Sequence, residues 1–304
     1  MLERTWFAYL RALVGVAALL VVAVPQPAGA TGTAAATVVG AEGVNIRSCP
    51  RLECDVLAVA PLGRTVAVTG ASRDGFTPVI YKRTSGFAYD LYLLKPGQPV
   101  PQLISGAPGC KRIALIFNIG IGEAPATEIL DTLKAEKVPA TMFVMGWWAQ
   151  AQGDLLRRMV DDGFPIGSHG FERLGLTQRS DADVVRDIQA AGNAIQKVTG
   201  EQPGPWFTPY AADTDERVAD LIASRGYLPV GWRVPAADYG ADATAESVYG
   251  RVMPNIYDGA IVEMHMDGPA SSTSTAVALP WIINELRAQG YTFVTISQMA
   301  GPCP

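Results

Sequence analysis

The chain has few of the residues that build metal centres. It contains 2 histidines and 4 cysteines among 304 residues. A site with three protein imidazoles is therefore excluded, and a zinc finger of the Cys₂His₂ kind would consume both histidines and two of the four cysteines. Basic residues are also scarce, since 24 lysines and arginines stand against 29 aspartates and glutamates, a formal net charge of −5. This balance excludes a nucleic acid as the general partner, because phosphate binding needs a basic surface.

The N-terminus has the pattern of an export signal. Arg4 and Arg11 precede an uncharged run over residues 12–24, which is short for a membrane span but has the length of a signal-peptide core. Residues 28–30 read Ala-Gly-Ala, which is typical of a cleavage site. We predict a signal peptide over residues 1–30, with an uncleaved N-terminal anchor as the alternative. The protein is then secreted or held in the cell envelope, with no membrane segment after cleavage.

Export gives the cysteines a structural role. In an oxidising compartment four cysteines predict two disulfides, for which three pairings exist. Cys49 and Cys54 are close in the chain, whereas Cys110 and Cys303 stand at the two ends of the remaining sequence. We predict the bridges Cys49–Cys54 and Cys110–Cys303.

The periodicity changes along the chain and predicts two domains. After a small-residue linker over residues 31–36, residues 37–94 contain short alternating runs separated by glycine and proline, which indicates a small all-β barrel. Its string Val-Asn-Ile-Arg-Ser at residues 44–48 and the later Gly-Phe and Leu-Tyr-Leu elements resemble a bacterial SH3-like domain. Such domains often bind cell-wall peptides, and the alternative is a structural spacer. Proline and glycine then predict a linker over residues 95–109.

From residue 110 onward, short apolar runs alternate with segments of helical spacing. This alternation predicts a parallel sheet, and about seven units predict an α/β domain built as a distorted (β/α) barrel over residues 110–304. Chemistry in such barrels lies at the C-terminal ends of the strands. Both histidines of the chain, His169 and His265, follow predicted strands, and Asp238 is a candidate to orient the imidazole of His265.

The order of these segments resembles the polysaccharide deacetylase (NodB-homology) family, over roughly residues 110–300. Residues 116–120 read Ile-Phe-Asn-Ile-Gly where the family has Thr-Phe-Asp-Asp-Gly. His169 matches the first histidine of the family's His-x-x-x-His motif, Asp238 matches its fourth motif, and His265 matches its catalytic acid. Members remove N- or O-acetyl groups from glycans such as peptidoglycan and chitin, usually with a zinc ion.

The departures from the family pattern fall on its metal and base positions. Asn118 replaces the carboxylate base, Ile119 replaces a metal-binding carboxylate, and Arg173 stands where the second histidine ligand is expected. Ile119 donates no lone pair and Arg173 brings a permanent charge, so His169 alone remains and cannot hold zinc usefully. We predict that the family zinc is lost and that no cofactor is present. We also expect Glu172 or Glu263 to neutralise Arg173 where zinc would lie.

These residues predict a metal-free pseudoenzyme that binds cell-wall glycan or peptidoglycan. In this interpretation Asp238 and His265 are a vestigial acid pair, and the residues expected to contact sugar are His169, Trp206, Tyr210 and Tyr239. One alternative is an active deacetylase that hydrolyses acetamide or acetyl ester bonds through a rearranged site. A second alternative is a structural protein of the envelope that contacts other proteins.

Overall fold

The computed structural model describes residues 34–40, 43–301 and 303. The predicted signal peptide over residues 1–30 lies outside these described residues. Within the described ranges, no helix combines the length and the apolar character that a membrane crossing requires.

A seven-stranded antiparallel sheet forms the first part of the structure. Its strands lie in the order β3-β2-β6-β5-β4-β1-β7. The strands are β1 (Ala34–Val38), β2 (Val44–Arg47), β3 (Val56–Ala60), β4 (Thr65–Val68), β5 (Phe76–Tyr81), β6 (Thr84–Tyr89) and β7 (Leu93–Leu94). Alternate side chains such as Val44 and Ile46 point inward to a common apolar core. A small all-β unit therefore precedes the barrel, as predicted, and its likeness to SH3-like domains stays a prediction.

The second part contains an eight-stranded sheet in which every pairing is parallel. Seven strands follow one another in the order β12-β11-β10-β9-β8-β14-β13, and β15 pairs with β8. The strands are β8 (Arg112–Ile119), β9 (Ala140–Val144), β10 (Ile166–Ser168), β11 (Trp206–Phe207), β12 (Leu228–Pro229), β13 (Val234–Pro235), β14 (Ala260–Met264) and β15 (Thr292–Phe293). The predicted distorted (β/α) barrel is confirmed.

Helices connect these strands and cover the sheet. They are α1 (Glu128–Ala135), α2 (Gly146–Ala151), α3 (Gly153–Asp161), α4 (Asp181–Thr199), α5 (Glu216–Ser224), α6 (Ala245–Val252), α7 (Thr275–Ala288) and α8 (Ile296–Met299), with 3₁₀ turns at Asp90–Tyr92, Tyr210–Ala212 and Met253–Asn255. The longest, α4, begins where the Ser180 hydroxyl accepts a hydrogen bond from the Asp183 N–H, and it ends at Gly200, whose φ of 88° is left-handed.

The central strand β8 separates two apolar cores. Ile113, Leu115, Phe117 and Ile119 pack under the helices on the outer face, whereas Ala114 and Ile116 pack inside the barrel. Because strand residues alternate between faces, Asn118 belongs to the inner set and Ile119 to the outer set. The same alternation in β14 places Glu263 on the inner face.

The segment predicted as a linker, residues 95–109, packs against the barrel instead of spanning a gap. Leu103 is 5% exposed, and its backbone forms hydrogen bonds with Pro229 and Gly231 beside β12. Val100 and Val39 join the same inner core. Residues 95–109 therefore form an ordered strap along the open edge of the sheet. A composition rich in proline and glycine does not distinguish such a strap from a flexible linker.

The predicted linker over residues 31–36 likewise ends early, because β1 begins at Ala34 and pairs with β4. The domain limits themselves stay predictions.

Candidate functional site

Polar side chains from four strands meet at the C-terminal edge of the parallel sheet. Asn118 is near the end of β8, Glu263 is near the end of β14 and His265 follows it. His169 follows β10, and Thr208 follows β11. All five side chains are buried, although polar groups are costly to bury without partners. Their hydrogen bonds therefore define the site.

The structure brings Asp238 and His265 together. Asp238 Oδ1 lies 2.8 Å from His265 Nδ1, and Asp238 Oδ2 accepts a 2.9 Å hydrogen bond from the backbone N–H of His265. The hydroxyl of Thr275 also donates to Asp238 Oδ2. These contacts fix the carboxylate and the ring, and they leave His265 Nε2 for a second partner.

That second partner is Glu263, a residue that sequence analysis treated only as a partner for Arg173. Glu263 Oε1 lies 3.1 Å from His265 Nε2, and the same oxygen accepts a 3.2 Å hydrogen bond from Asn118 Nδ2. Glu263 is 4% exposed and Asn118 is 1% exposed. The Glu263 carboxylate thus lies between the residues that the family resemblance assigns to the base and the acid.

Thr208 links the remaining members of the site, and sequence analysis did not single it out. Its hydroxyl donates to Asn118 Oδ1 at 2.8 Å. His169 Nδ1 lies 2.7 Å from the Thr208 carbonyl oxygen and 2.8 Å from its hydroxyl oxygen. Because a carbonyl only accepts, His169 carries its proton on Nδ1. The position directly after a strand was the available signal for Thr208.

The two histidine rings differ in charge at neutral pH. Burial lowers the pKa of His169 to about 3, so this ring is neutral. Burial also opposes charge on His265, but the hydrogen bond that its Nδ1–H donates to Asp238 and the charge of Glu263 outweigh it and raise its pKa to about 9. His265 is therefore an imidazolium between two carboxylates. Burial raises the pKa of Glu263, and the adjacent imidazolium opposes that rise.

Asp267 is a further acidic member of the site that sequence analysis missed. Its Oδ2 accepts hydrogen bonds from the backbone N–H groups of Gly120 and Gly122, at 2.7 and 3.2 Å. Burial raises the pKa of Asp267 to about 6. Gly120 has a φ of 129°, and a Cβ there would lie 2.4 Å from Met145 Cγ, so this turn requires glycine.

Arg173 lies on the surface and does not enter the site. Its guanidinium stacks 4.9 Å from the ring centre of Trp147 and donates a 2.9 Å hydrogen bond to the carbonyl of Ile121. Glu263 instead contacts His265, and Glu172 lies 3.9 Å from Arg179. The expectation that a glutamate neutralises Arg173 is therefore wrong, because an exposed guanidinium needs no buried counter-ion.

The residues at the family's metal positions do not fit a zinc ion. Ile119 is fully buried in the outer core, Arg173 is on the surface, and His169 is the one imidazole left between them. Among residues 34–40, 43–301 and 303, no three His, Cys, Asp or Glu side chains form a group that could hold a metal. A ligand set of one nitrogen is too small for structural or catalytic zinc.

The predicted sugar-contacting aromatic residues differ in accessibility. Tyr239 is 62% exposed, and its ring stands edge-on to His265 at 5.9 Å. Tyr210 is half-buried, with its ring 6.0 Å from that of His169. Trp206 is 3% exposed, and its indole N–H donates to the Ser297 hydroxyl at 2.8 Å. Trp206 is thus a core residue and presents no face for stacking, which corrects its predicted role.

The two disulfides pair as predicted. Cys49 is bonded to Cys54, and Cys110 is bonded to Cys303 across a separation of 193 residues. The second bridge joins the segment before β8 to the end of the chain.

Comparison with known proteins identifies the family. A family model for polysaccharide deacetylase matches residues 105–230. The peptidoglycan-N-acetylglucosamine deacetylase of Bacillus cereus is 30% identical over 191 residues, which cover 62% of this chain and 88% of that protein. This chain belongs to the polysaccharide deacetylase family.

Individual relatives differ in extent and in activity. The peptidoglycan-N-acetylglucosamine deacetylase PgdA of Listeria monocytogenes is 34% identical over 191 residues, 63% of this chain. The chain spans 39% of that protein, so about two fifths of its length. Among solved structures, BA3943 of Bacillus anthracis, a CE4 family pseudoenzyme, is 25% identical with a TM-score of 0.62, covering 70% of this chain and 76% of that one.

Proposed function

We propose that this protein is a secreted, metal-free pseudoenzyme that binds cell-wall glycan at the C-terminal face of its barrel. The observation that carries the proposal is the contact of Glu263 with both Asn118 and His265. An amide replaces the base, and a carboxylate of the protein itself pairs with the Nε2 proton of the acid. Neither group is free to transfer a proton to or from a bound acetyl group.

Loss of zinc removes the second requirement of the family's chemistry. A bound zinc ion lowers the pKa of its water and polarises the carbonyl that is attacked. Ile119 and Arg173 supply no ligand for it, and His169 alone is too small a donor set to hold it. The peptidoglycan deacetylases and the pseudoenzyme among the relatives support a cell-wall glycan as the ligand class.

Aromatic side chains near the site supply surfaces for sugar rings. Tyr239 and Tyr210 flank the two histidines and are exposed or half-exposed. The half-buried Trp232 and the buried Pro209 line an adjacent cavity of about 150 Å³. A pyranose ring stacks on an aromatic face through the apolar area of both rings, and this contact needs no catalytic group.

Sedimentation with insoluble peptidoglycan tests glycan binding. Tyr239→Ala and Tyr210→Ala are expected to reduce the bound fraction at least several-fold. Trp281→Ala is the matched control, because Trp281 is an exposed aromatic residue on α7 that packs against Tyr249. Equal binding by all three variants contradicts a glycan site at the barrel face and favours a protein-contacting role in the envelope.

Acetate release separates the pseudoenzyme from an active deacetylase. The purified protein is incubated with peptidoglycan and with acetylated chito-oligosaccharides, with and without added zinc. We expect no acetate above the blank and less than about one zinc ion per ten chains after dialysis, because one ligand holds zinc weakly. Stoichiometric zinc or steady acetate release would overturn the proposal.

A further inference from the structure

The carboxylate of Glu263 occupies the centre of the candidate site. Its Oε1 lies 3.1 Å from His265 Nε2 and accepts a hydrogen bond from Asn118 Nδ2 at 3.2 Å. We propose that Glu263 is the positioning residue that holds the site in its metal-free form, so that a carboxylate at position 118 is accepted only when position 263 is neutral. This inference deepens the proposed function, because it names the residue that excludes the family's base.

The proposal follows first from the charges around His265. Asp238 holds Nδ1 and Glu263 holds Nε2, so each ring nitrogen of the imidazolium already has an anionic partner. Asp267 is the third acidic group that acts on the ring, and its Oδ2 is bound by two backbone N–H groups. A further carboxylate would therefore find no cation at this position.

The hydrogen bonds of Asn118 lead to the same conclusion. Its amide uses both ends, since Nδ2 donates to Glu263 and Oδ1 accepts from the Thr208 hydroxyl. An aspartate keeps the acceptor but loses the donor, and its second oxygen would face Glu263 Oε1 at about the present 3.2 Å. Two buried carboxylates at this distance do not both ionise, so one must take up a proton or the site must open.

Exchange of the two functional groups distinguishes this pairing from two unrelated polar contacts. Asn118→Asp combined with Glu263→Gln moves the carboxylate to position 118 and the amide to position 263. The glutamine carries no charge, so the contact between two carboxylates is removed, and the pair again holds one carboxylate and one amide. The double variant is nearly isosteric with the wild type, so packing is not a variable.

Thermal unfolding at pH 8 provides the test, in the full chain with both disulfides intact. At pH 8, Asn118→Asp is expected to lower the unfolding midpoint by at least about 5 °C. The decrease is expected to be smaller at pH 5, because one of the two carboxyl groups is then readily protonated. The double variant is expected to recover at least half of that loss. Asn193→Asp is the matched control, because Asn193 is exposed on α4, and its midpoint should stay within about 1 °C of the wild type.

Two results would overturn the proposal. One is an Asn118→Asp variant as stable as the wild type at pH 8. The other is a double variant whose loss equals the sum of the two single losses, since additive effects mean that the positions do not interact. Neither result depends on glycan binding, so a failure here and a failure of the proposed function are told apart.

A titration by NMR keeps the inference testable if Asn118→Asp does not fold. The untagged chain has 2 histidines, so its imidazole signals are assigned by inspection of one His265→Gln spectrum. We expect Glu263→Gln to lower the titration midpoint of His265 by about 1 pH unit and to leave His169 unchanged. A purely structural Glu263 would not move this midpoint, and an unchanged value contradicts its pairing with His265.

Discussion

The buried imidazolium predicts that the protein loses stability as the pH rises above neutrality. In the folded state the pKa of His265 is about 9, whereas the ordinary value is 6.5. A group whose pKa is raised on folding contributes stability that is complete below its unfolded pKa and is lost as the pH rises through its folded pKa. The difference of about 2.5 pH units corresponds to at most about 3.4 kcal/mol.

The window from pH 6.5 to 9.5 brackets the pKa of His265. His169, with its pKa lowered to about 3, and Asp267, with its pKa raised to about 6, titrate below the window. Urea unfolding followed by tryptophan fluorescence should therefore show a fall of about 2–3 kcal/mol in the free energy of unfolding across it. His265→Gln should start lower at pH 6.5 and stay flat. A wild-type change below about 1 kcal/mol would refute the assignment of a charged His265.

Three further predictions concern the surroundings of the site. Thr208→Val should destabilise the fold by about 1–3 kcal/mol in urea unfolding, because it leaves the side-chain carbonyl of Asn118 without its buried donor. The control Thr292→Val, at an exposed position of β15, should cost less than about 0.5 kcal/mol. Leu103→Ala should cost about 2–5 kcal/mol, because the strap fills the inner core, and a loss below about 1 kcal/mol would contradict that packing. Arg173→His should leave the zinc content per chain unchanged, measured by mass spectrometry, since Ile119 still offers no ligand; stoichiometric zinc would disprove the point.

The fold was predictable because the spacing of apolar residues changes along the chain, from the period of strands to an alternation of strands and helices. Short alternating runs before residue 94 correspond to antiparallel strands, and the longer helical segments after residue 110 correspond to crossover helices. The strap was not predictable from composition, because proline and glycine suit a flexible linker and an ordered extended segment equally. Its order comes from Leu103, whose backbone pairs beside β12, and such a pairing has no local sequence signature.

For the site, the sequence predicted four of the residues that meet, but it did not predict Thr208 or Asp267 or the arrangement of the charges. Asn118, His169, Asp238 and His265 all follow or end strands, and parallel strands bring such positions to one edge. Glu263 lies two residues before His265. Once β14 is known, the alternation of side chains along a strand implies that both residues face the same side of the sheet. The partners of Glu263 depend on rotamers and on distances between strands, which a single sequence does not specify.

Arg173 and Ile119 stand at two of the family's metal positions, and the structure shows where each side chain lies. The arginine avoids the buried position by stacking on Trp147 at the surface, where its charge remains hydrated. Ile119 lies on the outer face of β8, and burial of an isoleucine side chain there contributes about 1.5–3 kcal/mol to the helix-covered core. Both substitutions therefore have favourable surroundings of their own, and His265 on the inner face is paired with Asp238 and Glu263.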